Sequence, residues 1–118
     1  MTGMWKKAVV ICAALPSMVL GQEHTGFLCE GTDPDWTLTL HEDIATLNSQ
    51  RRSEMTIPHQ TAAEGRDWPR AMTLISRNDT AIVIIDQQSC GSVAYSAQVL
   101  TQRGETPILL TGCCTATP

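Results

Sequence analysis

The sequence predicts a small all-β domain, an antiparallel barrel or sandwich of about seven short strands stapled by two disulfides. Three observations carry that expectation. Apolar and polar residues alternate with a period of two along several short runs. Turn-forming or charged residues separate those runs. The cysteines form an even set once the first segment is set aside.

That first segment, residues 1–21, reads MTGMWKKAVVICAALPSMVLG. Lys6 and Lys7 supply a positive start, and Ala8 to Leu20 supply an apolar run. Val19 and Gly21 are small enough for a signal-peptidase site, so the segment reads as a secretory signal. The apolar run falls short of the ~20 residues needed to span a bilayer. Gln22, not Cys, follows the cut, so no lipid anchor is expected. A soluble periplasmic or secreted protein follows, with no stable membrane insertion after cleavage.

Removing 21 of the 118 residues leaves 97, read as one β domain over residues 22–118. Both lysines leave with the signal. Eight basic residues become six, all Arg, while all 12 acids remain, so the charge moves from −4 to −6. That balance argues against binding nucleic acid through phosphate neutralisation. Aromatic residues are only 4% of the chain, too few for a base-stacking surface. A negative domain of this kind is suited to a basic protein partner. A monomer is expected.

The elements follow in order. Trp36-Thr37-Leu38-Thr39-Leu40-His41 puts Trp36, Leu38 and Leu40 on one face of a strand. Glu42-Asp43 then turns the chain into Ile44–Leu47. Met55 and Ile57 alternate with Glu54 and Thr56, and Pro58 is expected to end that strand. His59–Arg70 reads as irregular, with room for a helical turn at Thr61–Glu64. Met72–Ser76 and Thr80–Asp86 read as strands joined at Asn78-Asp79. Tyr95–Leu100 and Ile108–Thr111 flank a hairpin at Arg103-Gly104-Glu105.

The signal removes Cys12 and leaves Cys29, Cys90, Cys113 and Cys114. An exported chain with four cysteines implies disulfides. Bridging Cys113 to Cys114 would strain a ring across one peptide bond. Cys29 therefore pairs with one of the adjacent two and Cys90 with the other. Neighbours on a strand face opposite sides, so one of Cys113 and Cys114 faces the core and one does not.

These residues resemble a family of small exported bacterial domains, many of them lipoproteins. The shared elements are Cys29-Glu30-Gly31-Thr32-Asp33-Pro34-Asp35-Trp36, then Cys90 with Tyr95, then Gly112-Cys113-Cys114. In size and β architecture the family is similar to META-type heat-shock lipoprotein domains and to the membrane-bound inhibitors of c-type lysozyme. The resemblance spans residues 27–114 and implies export and a β fold, with no particular activity. The chain departs from the pattern at Asp35, where an aromatic is common, and in lacking the lipoprotein Cys.

No constellation points to catalysis, and no cofactor is implied. Ser89-Cys90-Gly91-Ser92 has no G-x-S-x-G elbow around it, and His24, His41 and His59 form no metal-binding spacing. Glu30, Asp33 and Asp35 lack the register of a calcium loop and read as a solvated turn. A cut after Gly21 would start the chain Gln22-Glu23-His24, where a free amine, two amides and His24 suit a square-planar Cu(II) or Ni(II) site. Asn78-Asp79-Thr80 matches a glycosylation sequon. Trp68 reads equally as a surface lid or a core plug.

The function expected is therefore an exported, non-catalytic structural or binding module of the bacterial envelope. A second reading is a lysozyme-inhibitor-like protein that presents a loop built from Ser89, Gly91, Ser92 and Tyr95, pinned by Cys90. A third is a metal-handling protein using its amino terminus.

Overall fold

In the computed structural model, residues 26–102 and 106–118 are described. The expected signal (1–21), the amino-terminal metal motif with His24 and the Arg103-Gly104-Glu105 hairpin tip lie outside them.

Eight antiparallel strands follow one another around a closed barrel: β1 (Gly26–Gly31), β2 (Trp36–His41), β3 (Ile44–Ser49), β4 (Arg51–Ala62), β5 (Arg70–Ile75), β6 (Thr80–Asp86), β7 (Tyr95–Thr101) and β8 (Ile108–Thr117). Each strand pairs with its sequence neighbour, and β1 closes the ring by pairing with β8. The fold is all-β, as the alternation predicts. The strand total is eight rather than about seven, and the sheet closes as a barrel rather than a sandwich.

The additional strand is β1. Its own sequence, GFLCEG, alternates poorly, and it is held by two neighbours through the Cys29↔Leu38 and Cys29↔Cys114 registers. A second difference lies in β4, which runs through Pro58 instead of ending there. The register of β4 on β5 shifts between Thr56 and His59, so Pro58 falls in a bulge where a missing N–H breaks no ladder bond. Thr61 and Ala62 finish this strand in place of a helical turn.

The period-two pattern maps directly onto burial. Leu38, Leu40, Ala45, Leu47, Met55, Leu74, Val83, Ile85, Val99 and Leu110 fill the interior, with Trp36 among them as expected. Side chains on the alternate positions face out, as in Thr37, Thr39, Glu54, Ile82 and Ile84. Burying a full Leu, Ile or Val side chain is worth about 1.5–3 kcal/mol, so this row dominates the favourable side of folding.

Two disulfides form, and they resolve the open pairing: Cys29 bonds Cys114, and Cys90 bonds Cys113. Cys29 and Cys114 are directly opposed on β1 and β8, with Cα atoms 4.0 Å apart, and both are buried. Cys113 faces outward and reaches Cys90 in the loop between β6 and β7, Cα to Cα 5.5 Å. The two adjacent cysteines thus serve opposite faces of one strand.

The two ends of the barrel carry different clusters. At the end where β2 leads into β3, Phe27, Trp68 and Tyr95 pack edge to face or tilted, with ring centroids 5.2–6.4 Å apart. Arg70 lies over the Trp68 ring at 4.1 Å, so Trp68 is a half-buried plug with a cationic cover. At the other end, Asp79 in the β5–β6 turn is buried, and its carboxylate crosses to β4. The carboxylate accepts from Arg51 Nη2 at 2.6 Å and from the Ser53 hydroxyl. Its own N–H is held by Ser76 Oγ at 3.2 Å.

Replacing Asp79 by Ala leaves Ser53 buried opposite an empty site and removes the link from turn to strand. Urea unfolding is expected to show a loss of about 2–4 kcal/mol. Arg51→Ala, at a side chain 56% exposed, is expected to cost no more than about 1 kcal/mol.

Candidate docking site

The loop between β6 and β7 carries Ser89, Cys90, Gly91 and Ser92 of the residues singled out in the sequence. Its tip is a tight two-residue turn. The Cys90 N–H donates to Val93 O at 2.9 Å, and the Val93 N–H donates to Cys90 O at 3.1 Å. Gly91 takes φ +64°, the left-handed value that the first central position of such a turn requires. Gly91 and Ser92 are exposed at the apex, and Ser89 is exposed on the approach. The Cys90–Cys113 bridge fastens the turn to the outer face of β8.

Tyr95 sits apart from that apex. It opens β7, is half-buried, and turns its ring into the aromatic plug with Phe27 and Trp68. The structure therefore brings Ser89, Gly91 and Ser92 together on the surface and places Tyr95 beneath, as support for the strand that follows them.

On one side of the turn lies a cleft of about 540 Å³. It is lined by Cys90–Val93 on one wall, by Glu30, Gly31 and Thr32 on the other, and by Thr111–Cys113 at its base. Glycines shape the base. A Cβ on Gly112 would meet the Glu30 carbonyl and the Trp36 ring, and one on Gly31 would meet Thr111 O and Trp36 Nε1. Only bare backbone lets the Trp36 indole lie this close to both strands, where its N–H donates to Thr111 O at 3.1 Å. The cleft is therefore backed by a corner of the barrel packed closely around the Trp36 indole.

On the other side of the turn a second hollow of about 540 Å³ runs over the outer face of β6, β7 and β8, from Gln88 and Asp86 to Ile84 and Gln98. It leads towards Ile82, Leu100 and Leu109, which lie side by side on adjacent strands. Ile82 and Leu109 are 42% and 58% exposed. Apolar side chains gathered on one outer face mark a contact surface more often than scattered ones do.

Acid surrounds the cleft. Glu30, Asp33 and Asp35 are all exposed in and beside the β1–β2 turn, and a further hollow between Glu30, Asp35 and Asn48 adjoins it. Around the outside at this level run Ser96, Cys113, Glu30, Thr37, Asn48 and Arg52, each opposite the next. No group of three or more His, Cys, Asp or Glu able to hold a metal occurs among the described residues. His41 and His59 are exposed, and His41 stands 4.0 Å from Glu42.

The contribution of Glu30 and Thr32 to this site was not foreseen from the sequence. Their place depends on β1 pairing with β8, and that register was not read. No protein-family model, curated protein or solved structure matches the chain.

Gly112→Ala tests the packing behind the cleft. It is expected to destabilise the barrel by roughly 1–3 kcal/mol in denaturant unfolding, the usual cost of overpacking. It should also shift the tryptophan emission, because Trp36 must move.

Proposed function

We propose that this chain is an exported, non-catalytic binding module that docks the 87–94 loop and its neighbouring cleft against a basic protein. The observation that carries the reading is the doubly fixed turn at Cys90–Val93, locked locally by two backbone bonds and globally by a disulfide. A loop already held in one shape loses little entropy on binding, so more of the contact energy appears as affinity.

Several features support the rest of the reading. Two disulfides fit an oxidising, non-cytoplasmic compartment. No helix among the described residues is long and apolar enough to cross a membrane. The barrel interior is packed with apolar side chains, whereas the interior of a membrane-spanning barrel is polar. The acids Glu30, Asp33 and Asp35 beside the turn give the site a negative field that speeds encounter with a cationic surface. A c-type lysozyme, basic and with an open active-site cleft, is the representative partner that the resemblance to lysozyme inhibitors brings forward.

Titration calorimetry of the secreted protein with a c-type lysozyme, alongside an acidic protein of similar size, tests this. Binding to the lysozyme alone is expected, weakening as salt rises from 50 to about 500 mM. Ser92→Arg combined with Glu30→Lys is expected to weaken it at least tenfold while leaving the circular dichroism unchanged. Equal affinity for the acidic protein, or no effect of the double variant, overturns the reading.

A further inference from the structure

We propose that the Cys90–Cys113 disulfide is a thiol-exchange site through which a dithiol reductant releases the docking loop, while the Cys29–Cys114 disulfide keeps the barrel closed. The release has meaning as regulation only if the 87–94 loop is the docking element proposed above. The exchange chemistry itself does not depend on that reading.

The two bridges differ in access. Cys29 and Cys114 are 0% and 1% exposed, inside the barrel and flanked by core side chains. Cys90 and Cys113 are only half-buried, on the outer face beside an open cleft. Exchange begins when a thiolate approaches a disulfide sulfur, so access governs which bridge reacts first.

The step balances with a dithiol. One thiolate of the reductant attacks a sulfur of the Cys90–Cys113 bond, forming a mixed disulfide and freeing the other cysteine as a thiolate. The second thiol of the reductant then attacks the mixed disulfide. Two electrons and two protons pass to the protein, which ends with two thiols, and the reductant ends as a disulfide.

The pleat stops the reaction there. A freed Cys113 thiol is covalently next to Cys114, yet the two side chains leave opposite faces of β8. The Cys113 sulfur lies on the outer face and the Cys29–Cys114 bond lies within the core. Exchange from one bridge to the other would require β8 to leave the sheet.

Reduction also removes the loop's one covalent tie. Among the described residues, the backbone hydrogen bonds of 87–94 outside the strands run only between Cys90 and Val93. They hold the turn's shape and do not hold it against β8. Freeing Cys113 removes the covalent link between the wall of the cleft that carries Gly91 and Ser92 and the wall that carries Glu30, and leaves Cys90 Sγ a weak contact with Gly112 O at 3.4 Å.

The experiment treats the folded, secreted protein with dithiothreitol, traps thiols with iodoacetamide over time, and maps them by mass spectrometry. Labelling of Cys90 and Cys113 is expected to be at least tenfold faster than that of Cys29 and Cys114, with far-ultraviolet circular dichroism preserved. Hydrogen exchange at the Cys90 and Val93 amides should accelerate at least tenfold in the two-thiol form. The Cys90→Ser, Cys113→Ser double variant should show the same exchange without reductant. Labelling of all four cysteines in one phase, labelling of Cys29 and Cys114 first, or unchanged amide exchange in both reduced protein and variant overturns the proposal. Lysozyme binding that falls at least tenfold on reduction supports the regulatory role. Selective labelling and loop release, with no lysozyme binding in either form, supports the exchange site and overturns the docking reading alone.

Discussion

The seam between β1 and β8 is the contact on which the architecture depends. An up-and-down sheet of eight strands has two edges, and only closure removes them. Here closure rests on a first strand of six residues, one of the shortest in the barrel, paired from Gly26↔Thr117 to Glu30↔Cys113. So short a pairing is weak on backbone bonds alone. The Cys29–Cys114 bridge rivets it at its middle, joining residues 85 apart, which a chain-entropy argument values at about 4.6 kcal/mol, against about 3.4 for the bridge spanning 23. Glycines serve the same seam. Gly26, Gly31 and Gly112 each stand where a side chain would meet the neighbouring backbone.

Once β1 is fixed, the rest of the site follows by parity. Cys114 faces inward to reach Cys29, so Cys113 must face out. Glu30, opposite Cys113, faces out beside it. The outward cysteine captures the β6–β7 loop, and the outward acid becomes the facing wall of the same cleft. The barrel interior and the proposed docking surface are thus two sides of one register. A slip of one residue between β1 and β8 would turn both cysteines to the wrong faces and dismantle both.

Much of this was legible in the sequence, and the failures have physical causes. The run around Leu38 alternates because it has one dry face and one wet face, so periodicity found it, whereas Ala81–Ile85 is apolar on both faces and was legible through its β-branched residues. β1 alternates poorly, exposing Leu28 at 39% and carrying a glycine at each end, so only its partners define it. Pro58 reads as a strand end unless the bulge that excuses its missing N–H is known. Asn78-Asp79 reads correctly as a turn, but the buried reach of Asp79 to Ser53 spans 26 residues and has no local signature. Trp68, set between charged Asp67 and Pro69-Arg70, gives no sign of the aromatic partners that fold brings to it. The cysteine pairing stopped at two arrangements. β8 opens Ile108-Leu109-Leu110, apolar on both of its faces, so neither Cys113 nor Cys114 is marked by its neighbours as the inward one.

The clusters at the two ends bear on why the proposed docking loop lies on the wall rather than at a barrel mouth. Small ligands commonly enter such barrels from an open end. Here one end carries three packed aromatic rings, Trp68 beneath Arg70, and the other carries the buried Asp79 carboxylate with Ser53 and Arg51. The interior between them is lined by Leu, Ile, Val and Met and leaves recognition to the outside. On that outside, a smooth sheet offers little relief. Relief comes where a loop is bent back over the sheet and held there, and among the described residues only the 87–94 loop is tied in this way by a covalent bond. The second disulfide is spare for closure, since the seam already has its own. What it adds is a loop of fixed shape on the barrel wall, and a fixed shape is what a partner can recognise.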